Sequence, residues 1–268
     1  SNLQEIASLL NIGSDSLAFL DDNPVERELV KSTLREVAVI DLPQDPSQYA
    51  ATLQAFPYFE KLSITSEDVA KSQQYRQNAV RKELEQKIGD INTYLESLQT
   101  ELTLEAAKPE HIPRIHQLFS KTNQFNVTTI RYGVPEIEKF IADAQWDLWL
   151  ASVKDKFGDL GIIGLYLMQR NGASAIVDSF ILSCRAMGRG IEAAMMNKIK
   201  HDYFGQDISE IRATYSPTAK NKPVMEFFDK QGFSLTSTSD AGVKHYCLAA
   251  QDMCLSEHPG ITLTIKED

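Results

Sequence analysis

A six-residue stretch in the second half of the chain combines two arginines with two closely spaced glycines, Arg185-Ala186-Met187-Gly188-Arg189-Gly190. It follows an apolar run and precedes a helical pattern that starts at Gly188. Glycines let backbone N–H groups approach an anion, and a helix N-terminus offers unpaired donors. Arg185 or Arg189 could add a charged contact to a phosphate. The stretch indicates a phosphate-binding loop; a tight strand-to-helix turn that binds nothing is the alternative.

Three further residues could take part in proton or acyl transfer. Asp178 lies among apolar residues on the preceding strand, where burial would raise its pKa and suit it to proton transfer. Cys184 adjoins the loop, and a helix N-terminus lowers the pKa of a thiol; a small buried hydrophobic residue is the alternative. Asp159 follows a glycine, so it is either a catalytic carboxylate or a structural turn residue.

Three amide side chains, Asn123, Gln124 and Asn126, lie close together in a predicted loop over 122–133. They could bind substrate by lining an acyl or pantetheine channel with hydrogen bonds. Alternatively, they could hold a long loop together. The sequence leaves both interpretations open.

Near the N-terminus, the apolar run Leu17-Ala18-Phe19-Leu20 ends in Asp21-Asp22. An unbroken apolar strand is typical of one buried on both faces of a parallel sheet. Two carboxylates at its carboxyl end would face the ligand crevice, and Mg²⁺ prefers few carboxylates plus phosphate and water. Asp21 and Asp22 are therefore candidate metal ligands; for Asp22, a helix start is the alternative.

Composition excludes several classes of partner. The chain of 268 residues carries a net charge of −10 and has no basic run, which makes nucleic acid an unfavourable partner. No apolar run approaches the roughly 20 residues of a membrane span. Three cysteines without metal-ligand spacing suit a reducing cytoplasm.

The elements that would position these residues fall into three predicted segments. Residues 1–62 show two buried strands and a helix between them, the pattern of part of a truncated Rossmann-like α/β domain; an appendage packed on the next domain is the alternative. Residues 63–99 predict a helical connector, broken at Gly89-Asp90 and solvated on most of its surface. Residues 100–268 predict a mixed α/β domain with a strand-rich middle and two later helices interleaved with strands.

The spacing Arg-x-x-Gly-x-Gly after a strand-rich region resembles motif A of the GNAT acyltransferases, which binds the pyrophosphate and pantetheine of coenzyme A. The run from Asn221 to Phe233 resembles their motif B helix. This resemblance implies a coenzyme A or phosphopantetheine site at Arg185, Gly188, Arg189, Gly190 and Asn221. Many GNAT enzymes have a tyrosine as general acid on that helix, whereas this chain has Phe228.

Four further segments resemble the FkbH-like proteins, in which a HAD-superfamily phosphatase-like domain of subfamily IIIC is joined to a GNAT-like domain. They are Phe19–Glu28, Lys121–Asn126, Phe157–Gly164 and Ser216–Asn221. The best-known members take a glyceryl group from 1,3-bisphosphoglycerate and pass it to an acyl carrier protein in polyketide biosynthesis.

The FkbH-like resemblance implies Mg²⁺ at Asp21-Asp22 in a complete HAD domain, a small phosphorylated or acyl substrate, and an acyl carrier protein as partner. However, nothing in the sequence resembles the nucleophilic aspartate motif of a HAD phosphatase. We therefore expect either a fragment of a longer protein or a lost phosphatase half.

Three functions remain open. In the first, the chain is the C-terminal part of an FkbH-like protein and transfers an acyl or glyceryl group to a carrier-protein thiol, as the resemblance implies. Alternatively, it is an autonomous CoA-dependent N-acetyltransferase, or a non-catalytic docking module for a phosphopantetheine arm. Phe228 counts against the N-acetyltransferase, because it has no proton to donate.

Overall fold

The computed structural model describes residues 2–10, 12–59, 66–206 and 208–266. The chain divides into two compact units, Ser1–Glu83 and Leu84–Asp268. The helices are α1 (Asn2–Leu10), α2 (Pro24–Thr33), α3 (Tyr49–Gln54), α4 (Ser66–Ile88), α5 (Ile91–Leu98), α6 (Ile112–Lys121), α7 (Val134–Ala142), α8 (Ile191–Phe204) and α9 (Phe227–Lys230). Within the described ranges, no helix has both the length and the apolar character to cross a membrane.

The strands of the smaller unit are β1 (Ala18–Phe19) and β2 (Ala38–Val39). Those of the larger unit are β3 (Thr100–Ala106), β4 (Phe125–Asn126), β5 (Trp146–Asp155), β6 (Gly158–Asn171), β7 (Ser174–Leu182), β8 (Glu210–Tyr215), β9 (Ser234–Thr238), β10 (Lys244–Ala249) and β11 (Ile261–Lys266).

In the smaller unit, β1 and β2 pair in parallel, as predicted, with α2 as the crossover between them. The predicted burial is wrong for the first strand, whereas Val37 and Ile40 on either side of β2 are buried. Ala18 is exposed and Phe19 only half-buried, and Leu20 just beyond is 48% exposed. A strand is buried on both faces only when layers cover both. The described part of this unit supplies a two-stranded sheet and short helices, which leave one side of β1 open.

The predicted break at Gly89-Asp90 is confirmed. Gly89 has φ +73, and Asp90 caps α5 by accepting a hydrogen bond from the Thr93 N–H at 2.7 Å. The predicted connector is not solvated on every side, because one face of α5 is buried. Leu98 is fully buried, and the apolar face of α5 packs against Phe157 because this helix belongs to the core of the larger unit. The predicted border at 62/63 lies outside the described residues.

The larger unit is a mixed α/β layer structure, as predicted. Its sheet has the order β11-β3-β5-β6-β7-β8-β10-β9, with parallel pairs only at β11·β3 and β7·β8 along that path. Successive side chains of a strand point to opposite faces. Leu165 and Leu167 of β6 accordingly pack with α6 and α7, while Tyr166 and Met168 pack with α8. The two apolar clusters therefore fix β6 and β7 from both sides.

Candidate functional site

The two central parallel strands separate part-way along their length. β8 pairs with β7 only as far as Val177, although β7 continues to Leu182. β6 occupies the other edge of β7 throughout, so β4, which also pairs with β7, must lie on the β8 side. There Asn126 lies opposite Ile181, and the Val127 carbonyl accepts a hydrogen bond from the Ser216 N–H (2.8 Å) just beyond β8. A segment of the chain itself thus fills the gap between β7 and β8.

Asn221, predicted to bind a cofactor, is fully buried beneath this segment. Its amide nitrogen donates to the carbonyls of Asn126 (3.0 Å) and Ser216 (2.9 Å). Its amide oxygen accepts from the Thr218 N–H (2.7 Å) and the Tyr215 hydroxyl (3.1 Å). These four hydrogen bonds use the whole capacity of the amide. Asn221 therefore ties β4 to the loop after β8, and this placement argues against contact with a ligand.

The three predicted substrate-binding amides also have structural contacts. Asn126 is fully buried and accepts a hydrogen bond from the Thr129 N–H (2.8 Å), which supports the left-handed backbone of Thr129 at φ +58. Asn123 accepts a hydrogen bond from the Arg131 guanidinium at 2.5 Å. Gln124, which follows Asn123 in the chain, is half-buried. For Asn126 and Asn123, the contacts favour the interpretation that they hold a long loop together.

Asp178 lies where β7 leaves β8, and it interrupts the pairing with β6. Leu167 lies opposite Ser179 and Met168 opposite Val177, so Asp178 is an extra residue in β7. A bulge of this kind turns a side chain away from the regular alternation of a strand. The carboxylate of Asp178 is consequently half-buried at the point where the two strands separate.

The Asp178 carboxylate is held by two hydroxyl groups. Tyr132 donates to both of its oxygens, at 2.9 and 3.1 Å, and Ser179 donates to Oδ1 at 2.9 Å. The Tyr132 ring makes edge contacts with Phe119 of α6 and Phe140 of α7. Both packing and hydrogen bonding therefore fix the orientation of this acid.

Burial raises the pKa of Asp178, and the hydrogen bonds from Ser179 and Tyr132 only partly oppose that rise. The predicted direction of this shift is confirmed. Burial, together with the negative charge of Asp178, raises the pKa of Tyr132 well above that of an ordinary phenol. Tyr132 therefore keeps its proton and orients Asp178, while Asp178 is the group suited to accept a proton.

The chain turns from β7 into α8 through the predicted glycine loop. A single 3₁₀ turn, Cys184–Ala186, is followed by Gly188 and Gly190, which both have left-handed backbones at φ +72 and +76. A side chain at Gly188 would project into open space. The first helical hydrogen bond runs from the Ala194 N–H to the Gly190 carbonyl (3.0 Å). The N–H groups of the first turn thus lack helical acceptors, which is the arrangement that receives anions.

The two arginines of the loop differ in their surroundings. Arg185 Nη1 is buried and has no hydrogen-bond partner among the described residues, while Nε reaches Ser183 Oγ at 3.4 Å. Arg189 is 6% exposed and forms an ion pair with Asp155 at the end of β5. A guanidinium N–H without an acceptor is suited to a bound anion. Arg185 fits the predicted phosphate contact, whereas the buried ion pair argues against that role for Arg189.

Glu192, in the first turn of α8, is an acid that the sequence analysis did not select. Its Oε2 atom is buried without a hydrogen-bond partner among the described residues. Burial raises the pKa of this carboxyl, and the backbone N–H groups of Glu192 and Gly188 partly offset the rise. The carboxyl of Glu192 therefore shares the N–H groups that a phosphate would use.

Cys184 is half-buried at the start of the loop and is not in a disulfide. The prediction that the loop lowers its pKa is wrong. Burial raises the pKa of the Cys184 thiol by more than the positive charge of Arg185 and nearby N–H groups lower it. The thiol form dominates, so the geometry gives no support for Cys184 as an activated nucleophile.

Phe228 is 1% exposed, and its ring packs with Phe227, Phe233 and Tyr246. The run that resembles the motif B helix forms only a 3₁₀ turn, Lys222–Val224, and the four-residue α9. The position that resembles the general acid of the GNAT acyltransferases is thus part of the core. It cannot exchange a proton with a ligand.

Asp159 is exposed in the turn at the start of β6, where its carboxylate accepts a hydrogen bond from the Gly161 N–H at 2.7 Å. This local contact is typical of an aspartate that stabilises a turn. The structural interpretation therefore fits Asp159 better than a catalytic one.

Asp21 and Asp22 lie in the smaller unit. The Asp21 carboxylate accepts a hydrogen bond from the Asn23 N–H (2.8 Å), Asp22 is exposed, and Asn23 itself caps α2. No group of three or more acidic, histidine or cysteine side chains that could hold a metal occurs in the described ranges. These two carboxylates alone do not fit the requirements of a protein Mg²⁺ site.

Five of the predicted residues lie in one continuous stretch of the chain, along β7 and the loop after it: Asp178, Cys184, Arg185, Gly188 and Gly190. Two residues of the candidate site, Tyr132 and Glu192, were not predicted from the sequence. Tyr132 gave no signal, because it lies 46 positions before its partner. Glu192 did give one, since an acid in the first turn of a helix that opens with glycines lies next to any bound anion.

No protein-family model and no curated protein sequence matches the chain. Solved structures similar to part of it include the ribosomal-protein-S18-alanine N-acetyltransferase from Escherichia coli, with TM-score 0.44, 8% identity and coverage of 58% of this chain and 97% of that one. Spermidine N-acetyltransferase from Vibrio cholerae, in complex with CoA and spermine, has TM-score 0.43 and 17% identity, with coverage of 56% of this chain and 96% of that one. A putative GNAT acetyltransferase from Desulfovibrio desulfuricans has TM-score 0.44 and 14% identity, with coverage of 56% of this chain and 99% of that one. At TM-scores below 0.5 these similarities carry no argument about activity.

Proposed function

We propose that the larger unit transfers an acyl group from a pantetheine thioester to a thiol, with Asp178 as the proton acceptor. The observation that carries the proposal is the order of features along one strand. An oriented acid with a raised pKa lies on β7, and the glycine loop follows directly, with the Nη1 atom of Arg185 buried and without an acceptor among the described residues. An acyl donor that carries a phosphate some distance from its reacting carbonyl needs both an acid–base group at the carbonyl and a loop that holds the phosphate.

The loop has the chemistry to hold the phosphate of a phosphopantetheine group, on coenzyme A or on a carrier protein. Arg185 supplies a charged donor, and Gly188 leaves open space for close approach of the backbone. The donor arm cannot extend between β7 and β8, because β4 fills that gap. It must instead reach Asp178 across the surface of the sheet.

The proton balance of such a transfer needs one acid–base group. The Asp178 carboxylate takes the proton of the acceptor thiol as its sulfur bonds to the acyl carbon. The donor C–S bond breaks, and Asp178 returns the proton to the departing thiolate. A raised pKa brings Asp178 closer to the ordinary thiol value of about 8.5, which favours transfer in both directions.

We favour a thiol acceptor over an amine, because the thiol pKa of about 8.5 lies closer to that of a carboxyl base than the roughly 10.4 of an alkylammonium group. Phe228 is buried in the core, and the Tyr132 hydroxyl retains its proton because its pKa is raised. Neither can act as a strong general acid. The FkbH-like resemblance favours the thiol of an acyl carrier protein, with a glyceryl group as the acyl group. The N-acetyltransferase and the non-catalytic docking module remain the alternatives.

The test is the 268-residue chain incubated with an acyl-CoA and a carrier protein bearing phosphopantetheine, followed by intact-mass analysis of the carrier. We expect acylated carrier with wild type, and little with Asp178→Asn. The matched change Asp159→Asn should leave the rate unchanged, because Asp159 stabilises a turn. Acetylation of polyamines at a comparable rate would favour the N-acetyltransferase. Carrier binding without acyl transfer would favour the docking module.

A further inference from the structure

β11 is the terminal strand of the nine-stranded sheet, and in the described ranges no strand pairs with its outer edge. Natural edge strands are usually protected by proline, by charges or by a covering element. The segment Ile261-Thr262-Leu263-Thr264-Ile265 contains no proline, glycine or charge. Lys266, the last residue of the strand, carries a charge, and its Nζ lies 3.7 Å from Glu105 Oε2 on the neighbouring strand β3. Leu263 is 36% exposed and Ile265 38% exposed. This edge has the features of a strand that pairs with another chain.

The backbone groups available at this edge can be assigned from the pairing with β3. The Gly260 carbonyl accepts a hydrogen bond from the Thr100 N–H at 3.0 Å, so Gly260 faces β3. In a parallel ladder the N–H and C=O groups of alternate residues point to opposite neighbours. Thr262 and Thr264 therefore face β3, whereas Ile261, Leu263 and Ile265 direct their backbone groups outward.

The first five residues of this strand, Ile261–Ile265, read the same in both directions about Leu263. We propose that two copies of the chain associate through antiparallel pairing of β11 with β11, with a two-fold axis at Leu263. Ile261 then lies opposite Ile265 of the second copy, and Thr262 opposite Thr264. A two-fold interface requires a self-complementary surface, which a palindromic strand provides. Cross-strand pairs of like apolar side chains and of threonines are favourable.

The register is specific because only one position of the two-fold axis along β11 pairs every outward-facing residue with its counterpart in the second copy. Centring the axis on Leu263 pairs Ile261, Leu263 and Ile265 with their counterparts in one continuous ladder. Moving the axis to Thr262 or Thr264 leaves one end of the ladder without a partner. Pairing of five residues buries less than the roughly 1,200 Å² of a standard interface, so we expect reversible association that depends on concentration.

This edge also adjoins the glycine loop. A Cβ atom on Gly190 would lie 3.6 Å from Ile261 Cδ1 and equally close to His258. Fixing β11 in a dimer would therefore hold the segment against which the loop packs.

Sedimentation velocity of the full chain over a concentration series tests the proposal. We expect wild type to shift from monomer to dimer, and Leu263→Lys or Leu263→Glu alone to weaken association by more than about tenfold, because like charges would face each other across the axis. An equimolar mixture of the two variants should recover the dimer. Leu235→Lys is the matched control, since Leu235 is an exposed leucine on β9, the opposite edge strand.

Three outcomes would overturn the proposal: a wild type that is monomeric at every concentration, charge variants that still form dimers, or a mixture that stays monomeric. Circular dichroism of each variant checks that the fold is intact. If one charge variant fails to fold, the wild-type series and the other charge variant still decide. Open-ended aggregates in place of a dimer would also contradict a closed two-fold interface.

Discussion

At the scale of single residues, the Asp178 carboxylate combines properties that stability alone does not favour. It is an ionisable group in a bulge, partly removed from water, and oriented by two hydroxyls. A buried acid with a raised pKa destabilises the fold when it ionises. Such a cost is common where a residue is kept for chemistry.

The first prediction follows from this cost. Because the folded-state pKa of Asp178 is raised, its contribution to stability is present below the unfolded-state pKa and is lost as the pH rises through the folded-state value. Asp178→Asn should therefore lower kcat about 10²–10⁴-fold without lowering Tm at neutral pH. Transfer kinetics and thermal melts on the same sample measure both. A large fall in Tm would show that Asp178 is structural.

Glu192 carries the second prediction. A phosphate bound at the loop would raise the already elevated pKa of its buried carboxyl further, so binding should take up a proton. Affinity for pantetheine 4′-phosphate should then be highest below the free-protein pKa and fall as pH rises through the bound-state value. Glu192→Gln should bind more tightly at neutral pH and lose that part of the pH dependence. Calorimetry at several pH values checks this, and identical profiles for both proteins would contradict it.

At the scale of elements, the short strand β4 separates what the sequence could predict from what it could not. The glycine loop was predictable, because glycine spacing at a helix start has a local physical cause. The role of β4 was not, since two residues carry no periodic pattern, and their partners on β7 lie more than 50 positions away. For the same reason the sequence predicts a ligand contact for Asn221 and leaves the role of Asn126 open.

The third prediction concerns the hydrogen bonds by which Asn221 ties β4 to the loop after β8. Asn221→Ala should lower the free energy of unfolding by about 1–3 kcal/mol, because the change removes the hydrogen bonds to the buried Asn126 carbonyl and the half-buried Ser216 carbonyl. Gln124→Ala, a change at a half-buried amide of the same loop, is the comparison and should cost less. Denaturant unfolding measures both. If Asn221→Ala keeps full stability but loses coenzyme A affinity, the original assignment as a cofactor-binding residue is restored.

At the scale of the whole molecule, the two units differ in how much apolar core they possess. In the described part of the smaller unit the buried apolar side chains are few: Ala7, Val30, Val37 and Ile40. Leu20, Val25 and Leu29 around its strands are exposed. The larger unit has two extensive clusters on either side of its sheet. We expect amide hydrogen exchange to be faster across 17–40 than across β5, β6 and β7.

The fourth prediction is that the chain alone has no phosphatase activity. Asp21 is engaged with the Asn23 N–H, and the Asp21-Asp22 pair cannot supply both a nucleophile and a metal site. An assay with p-nitrophenyl phosphate and 1,3-bisphosphoglycerate, with and without Mg²⁺, tests this. Turnover that requires Mg²⁺ and disappears in Asp21→Asn would show that the HAD-like chemistry is complete in this chain.

The most direct test of the central claim is an NMR titration of the chain with pantetheine 4′-phosphate, observed at the backbone amides. We predict that the largest shifts fall on Gly188, Gly190 and the first turn of α8, and that Arg185→Gln abolishes them. Plain pantetheine, which lacks the phosphate, is the control and should shift these amides much less. Equal shifts with both compounds, or shifts confined to residues outside the loop and β7, would contradict the account.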